Sequence, residues 1–306
     1  MTKITYKTFL HITTLSTILL LSTYCSSNQT IIKEFNADRA YQDVIYQVSL
    51  GPRTPASEAH QNEIDWIVKE LDDAGWNVEI QTSTILGHEV KNIIGKRGSG
   101  TPWVILGAHY DSRMVADHDL DENNHNKPVP GANDGASGVA VLLELARILP
   151  GYLEQERDND QPANAQQIWL VFFDAEDNGN LPDWDWILGS SVFANTLKLK
   201  PDAVVILDMI GDKDLNIYQE QNSDPGLSNE IWSVARSIGY SNYFIPQIKH
   251  KIIDDHIPFV NAGIRAVDLI DIDYPYYHTI NDTPDKVSGR SLKIVGDTIL
   301  TWIMGK

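Results

Sequence analysis

The chain has 306 residues, 42% of them hydrophobic, which is enough for one large α/β domain or two small ones and excludes a disordered chain. Its 42 acidic and 24 basic residues give a formal net charge of -18, which argues against nucleic-acid binding, where a basic footprint is needed. The single cysteine, Cys25, excludes an internal disulfide.

Lys3 and Lys7, followed by the short apolar stretch Leu10 to Leu21, read as an export signal over residues 1–25. The stretch is short for a membrane span and is diluted by Thr and Ser. An exported, periplasmic or cell-envelope protein is expected. A bacterial lipoprotein carries its lipid on a cysteine placed like Cys25, and this is the one membrane attachment the sequence suggests. Tyr24 is a poor residue before such a cut, so an ordinary cleavage site beside an incidental cysteine is the alternative.

Residues 26–50 read as a polar leader and a helix, Asp38 to Gln47, that breaks at Gly51-Pro52. The main domain follows over 51–306. Ala59 to Ala74 carries Ile64, Ile67, Val68 and Leu71 on one face, and Gly75 is placed to end that helix. Trp76 to Thr82, Val90 to Ile94 and Trp103 to Leu106 read as strands. Gly138 to Leu149 reads as a helix, and polar 151–165 as an exposed insertion. Ile168 to Phe173 and Ala203 to Met209 are continuous apolar runs, as in strands buried on both faces. Ser228 to Ile238 is helical, Ala266 to Ile270 is a strand, and Leu292 to Met304 is a closing helix. This alternation predicts a three-layer α/β/α sandwich around a mostly parallel, mixed sheet.

Acids and imidazoles recur just after the apolar strands. His109 and Asp111 follow one strand, Glu176 and Asp177 another, and Asp208 ends a third. In a parallel sheet such positions gather at one edge, where α/β proteins build their sites. Hard ligands from separate strands, with no partner cysteines, suit zinc held by His and Asp/Glu. Each residue also has a plainer reading. Asp134, in the glycine-rich run Gly131 to Gly138, reads alone as a helix N-cap. Asp177-Asn178-Gly179-Asn180 is turn chemistry, and Asp254-Asp255 can cap a short helix. His278 sits among aromatics as packed polar edges do, and Trp184 and Trp186 can line a pocket or anchor a loop. The plain readings fail on the joint order of these segments.

That order resembles the zinc-dependent exopeptidase superfamily of di-zinc aminopeptidases and glutaminyl cyclases, and within it the bacterial glutaminyl-peptide cyclotransferases. The carrying motifs are Gly51-Pro52-Arg53, Ala108 to Arg113, Gly131 to Gly138, Phe172 to Asp177, Leu188-Gly189-Ser190 and Asp254 to Phe259. The resemblance covers the chain from about Gly51 onward and implies that 51–306 is a catalytic domain. It implies Asp134, Asp177 and His278 as ligands of one zinc and Glu176 as the proton shuttle. In the cyclase branch Asp208 and Asp254 join Glu176 as catalytic acids. In the aminopeptidase branch His109 and Asp208 hold a second zinc bridged by Asp134. Glu176-Asp177, where aminopeptidases usually show Glu-Glu, and Asp254-Asp255-His256 favour the cyclase. Trp184, Trp186 and Tyr277 are the expected pocket residues. Tyr277 stands where animal cyclases carry Trp, and Asp268 where they carry His, two departures at positions that line or support the pocket. The implied substrate is a peptide or protein N-terminus, and a monomer is expected.

Overall fold

The computed structural model describes residues 1–2, 34–157 and 166–305. The signal and Cys25 lie outside them. The described residues from Glu34 onward belong to one compact unit.

Six strands form the main sheet in the order β1 (Asn77–Ile85), β2 (His88–Arg97), β4 (Gln167–Phe173), β3 (Trp103–His109), β5 (Ala203–Asp208) and β8 (Ala266–Ile270). The last four are mutually parallel, and β1 and β2 are antiparallel additions. Alternate residues serve two cores. Val104, Leu106 and Ala108 of β3 face one apolar cluster, while Ile105 faces the other. The first core lies under α1 (Ala37–Ser49), α2 (Glu58–Asp73), α3 (Ala136–Arg157), α5 (Pro225–Ser237) and α7 (Gly289–Met304). The second lies under α4 (Leu188–Thr196) and α6 (Ile257–Asn261). The result is the expected α/β/α architecture.

Local chemistry sets the boundaries. Asn36, Ser57, Asp224 and Ser288 each accept a backbone N–H from the first turn of α1, α2, α5 and α7. Leu86 and Gly87 both take positive φ, giving the two-residue turn whose twist matches a β1–β2 hairpin. A small parallel ribbon, β6 (Ile217–Gln219) with β7 (Phe244–Ile248), packs beside edge strand β8.

α3 departs from expectation. It continues through Pro150 to Arg157 instead of giving way to an exposed insertion at Gly151. Pro150 has no N–H for the Ala146 carbonyl, and the Trp76 indole donates to that carbonyl at 2.9 Å instead. Tyr152 and Leu153 then pack against the first core. The stretch Ala136–Leu153 is long and apolar enough to cross a membrane, but 78% of it is buried inside the protein as a core helix.

Candidate active site

The C-terminal ends of the parallel strands converge on one edge. β3 ends in His109, the chain leaving β4 carries Glu176 and Asp177, and β5 ends in Asp208. The loop after β8 brings in His278, and the loop before α3 brings in Asp134. That last loop is pinned from two sides. Arg53, fully buried and 3.0 Å from Glu63, donates to the carbonyls of Pro130 and Gly131. Asp282 accepts the backbone N–H of Asn133 at 2.8 Å and of Asp134 at 3.1 Å. Held this way, the Asp134 side chain faces the imidazoles and makes no helix cap.

Two donor sets share Asp134. In one, His278 Nε2 lies 2.7 Å from Asp177 Oδ1 and 3.6 Å from Asp134 Oδ2. In the other, His109 Nε2 lies 3.2 Å from Asp134 Oδ1 and 3.1 Å from Asp208 Oδ1. Each trio places its ligand atoms within 4.8 Å of one another, and all five residues are buried. The other nitrogen of each ring faces a carboxylate, His278 Nδ1 toward Asp117 and His109 Nδ1 toward Asp111, both at 3.6 Å. This is the outer arrangement that orients ligand imidazoles. Asp134 Oδ2 and Asp177 Oδ2 are buried and meet no hydrogen-bond donor among the described residues. Two carboxylates and an imidazole with oxygens left open fit a zinc ion.

The acid segment after β4 is braced. Asp111 accepts the backbone N–H of Glu176 at 3.0 Å and of Asp177 at 3.3 Å, and the Asn178 amide at 3.2 Å. The amides of Ile187, Leu188 and Gly189 donate to the carbonyls of Glu176, Ala175 and Asp174. A side chain on Gly189 would collide with Asp174, which explains the glycine in Leu188-Gly189-Ser190. Ala175, Met209 and His278 all adopt positive φ, a conformation costly for non-glycine residues. They adjoin Glu176, follow Asp208 and supply the imidazole, so the surrounding contacts hold the site in a fixed, strained shape.

Glu176, Asp208 and Asp254 line one pocket with Asp134 and Asp177, walled by Trp186, Tyr277 and apolar residues including Ile252 and Ile272. Burial, with Asp177, Asp254 and Asp255 nearby, holds the Glu176 carboxyl well above the usual range, although His109 opposes this. Burial also pushes Asp208 up to about 7 against the pull of His109, and Asp177 up to about 6. Burial would lower the His109 pKa, but the carboxylates of Asp111, Asp134 and Asp208 around the ring win and raise it well above the usual value. Closely spaced like charges cannot all ionise, so the cluster shares protons.

The profile of Peptidase family M28 matches residues 92–303. The chain belongs to this family. It is 26% identical to the glutaminyl-peptide cyclotransferase of Gloydius blomhoffii, over 90% of this chain and 82% of that one. Its fold superposes on the glutaminyl cyclase of Tannerella forsythia with a TM-score of 0.78 at 37% identity, covering 90% of this chain and 100% of the other. A Zn-dependent exopeptidase from Parabacteroides distasonis gives a TM-score of 0.80 at 33% identity, with the same coverage.

Within this M28 domain most of the anticipated positions come together. Trp184 is the exception. It stacks on His88 at 3.6 Å and packs with Val90, Ala175 and Leu188, outside the pocket lining that its neighbour Trp186 joins. Trp186 stacks parallel to the His278 ring with centroids 6.1 Å apart, and Tyr277 stacks on it at 3.6 Å. Sequence reasoning missed Asp117, Asp282 and Glu63. Asp117 carried one usable signal, its spacing from Arg113, which clamps it with a two-pronged bond of 2.7 and 2.6 Å. Arg113 also donates to the Asp177 carbonyl at 2.8 Å.

Proposed function

We propose that this protein is a zinc-dependent glutaminyl-peptide cyclotransferase, which converts an N-terminal Gln to pyroglutamate and releases ammonia. The observation that carries this reading is the pocket in which Glu176, Asp208 and Asp254 meet beside Asp134, Asp177 and His278. The likeness to glutaminyl cyclases along most of the chain supports it.

Asp134, Asp177 and His278 would hold one zinc, which when bound supplies a Lewis acid for the substrate's side-chain carbonyl. The substrate's own α-amine attacks its side-chain amide carbon. The ring C–N bond forms, the amide C–N bond breaks, and no water is required. Glu176 takes a proton from the amine and passes it to the departing ammonia. Its raised pKa suits both halves of that transfer. Asp208, its pKa raised to about 7, keeps a proton within reach of Glu176, and Asp254 lines the same pocket beside them. Trp186 and Tyr277 hold the reacting end in a near-attack geometry, where intramolecular reactions gain most.

A metallo-aminopeptidase is the second reading, favoured by the trio His109, Asp134 and Asp208 as a possible second metal site. Metal analysis combined with mass spectrometry on a Gln-peptide and a Leu-peptide separates the two. The cyclase should contain one zinc per chain, release ammonia from the Gln-peptide and leave the Leu-peptide intact. Two zincs with rapid release of leucine would make it an aminopeptidase.

We also propose export, with the mature chain starting near Cys25, from the basic start and short apolar stretch of residues 1–25. Intact-mass analysis of cell fractions tests this. Recovery of the full chain with Met1 from the cytoplasm would refute it.

A further inference from the structure

Behind the pocket lies a buried pair that the reaction above does not use. His256 and Glu220 are 0% and 4% exposed, and His256 Nε2 lies 3.2 Å from Glu220 Oε2. Glu220 is saturated with donors. Oε2 accepts from the backbone N–H groups of Asn222 and Ser223, each at 2.8 Å, and from Ser223 Oγ at 3.1 Å, while Oε1 accepts from Ile252 N at 2.9 Å. Burial would raise its pKa, but these bonds and His256 lower it, so Glu220 stays a carboxylate. Its charge therefore faces Nε2 of the buried ring at ion-pair distance and holds the ring's orientation.

The other ring nitrogen is then aimed at a second set of acids. His256 Nδ1 lies 3.8 Å from Asp268 Oδ2, and Asp254, His256 and Asp268 bring ligand-type atoms within 4.8 Å of one another. Asp268 is 0% exposed, and among the described residues neither of its oxygens meets a hydrogen-bond donor. The carboxyls of Asp268 and Asp254 thus form a close buried pair beside the ring. Ser223 ties the pair to the same scaffold, because its Oγ accepts the Asp268 backbone N–H at 3.0 Å while donating to Glu220. One polar unit thus spans the segment after β6, the centre of β8 and the loop that carries Asp254.

We infer that His256, oriented by Glu220, is a positioning residue that holds the Asp268–Asp254 carboxyl pair so that Asp254 faces Glu176 in the pocket. His256 touches neither substrate nor metal and acts through Asp254. The inference rests on Glu176 and Asp254 being the acids of the proposed reaction. Misplacing a reacting group by about 1 Å costs about 10²-fold in rate, which sets the size of the effect.

The test compares wild type, His256→Phe, His256→Asn and Glu220→Gln on a Gln-peptide, with zinc content and near-ultraviolet circular dichroism measured alongside. Wild type is assayed first. If it cyclises no Gln-peptide, the cyclase reading fails and the inference falls with it. If it does, His256→Phe should lower kcat by roughly 10²-fold, with KM within about twofold and zinc unchanged. His256→Asn, whose amide can occupy the Nδ1 position and reach Asp268, should recover at least about tenfold of that loss. Glu220→Gln keeps an acceptor oxygen but removes the charge that faces the ring; it should lower kcat with KM preserved, and it serves as the probe if His256→Phe does not fold. A His256→Phe enzyme within about twofold of wild-type kcat would overturn the inference, as would His256→Asn no better than Phe. So would a loss in Glu220→Gln confined to KM.

Discussion

Replacing Glu176 with Gln is expected to abolish most turnover, by about 10²–10⁴-fold in kcat, while zinc content stays at the wild-type level. The expectation depends on how little else the side chain does. The position of Glu176 is fixed by its backbone, through its N–H to Asp111 at 3.0 Å and its carbonyl from the Ile187 N–H at 3.0 Å. Gln keeps the length and shape of the side chain and leaves both bonds intact. It removes only the ability to take up and return a proton. Gln is also neutral, which relieves the repulsion from Asp177, Asp254 and Asp255 that Glu176 now experiences. The variant should therefore be no less stable than wild type. Steady-state kinetics with zinc analysis on the same preparation checks this, and near-normal turnover would remove Glu176 from the proposed role.

Much of the fold was legible because parallel strands leave a clear trace. Ile168 to Phe173 and Ala203 to Leu207 are apolar without a break, since each lies inside the sheet and faces a core on both sides. The β6–β7 ribbon left none, being short and half exposed. α4 was missed for another reason. It starts from Ile187, a β-branched residue in left-handed conformation with no side-chain cap, so the usual start signal is missing. Its place is set by backbone bonds to the Glu176 segment. Where α3 passes Pro150, Trp76, distant in sequence, occupies the freed carbonyl.

The site divides along the same line. His109, Glu176, Asp177 and Asp208 stand at strand ends, and that position is a local property of the sequence. The residues that orient them act across the chain. Asp282 reaches Asp134 over 148 positions, and Glu220 reaches His256 only through the tertiary fold. A carboxylate with such a task looks like any surface acid in the sequence. Trp184 and Trp186 show the limit most plainly. Two residues apart in one turn, they end on different surfaces, and no periodicity distinguishes them.

The metal ligands offer the second large effect. Asp177→Ala or His278→Ala should lose zinc and, with it, measurable turnover. Disturbing the outer partner of a ligand typically costs 10–100-fold in metal affinity, so removing a ligand should cost more than about 100-fold. Asp117→Asn, which weakens the brace on His278 Nδ1, should fall in that smaller range. The decisive comparison is His109→Ala. In the one-zinc reading His109 binds no metal, so this variant should keep one zinc per chain while Asp177→Ala keeps none. In the two-zinc reading each variant would strip a different ion, because Asp134 turns Oδ1 toward His109 and Oδ2 toward His278. Zinc analysis of the three variants thus reports on ligand identity and metal count together. A fall from two ions to one in His109→Ala would establish a two-zinc site and, together with release of leucine from a Leu-peptide, transfer the protein to the aminopeptidase branch.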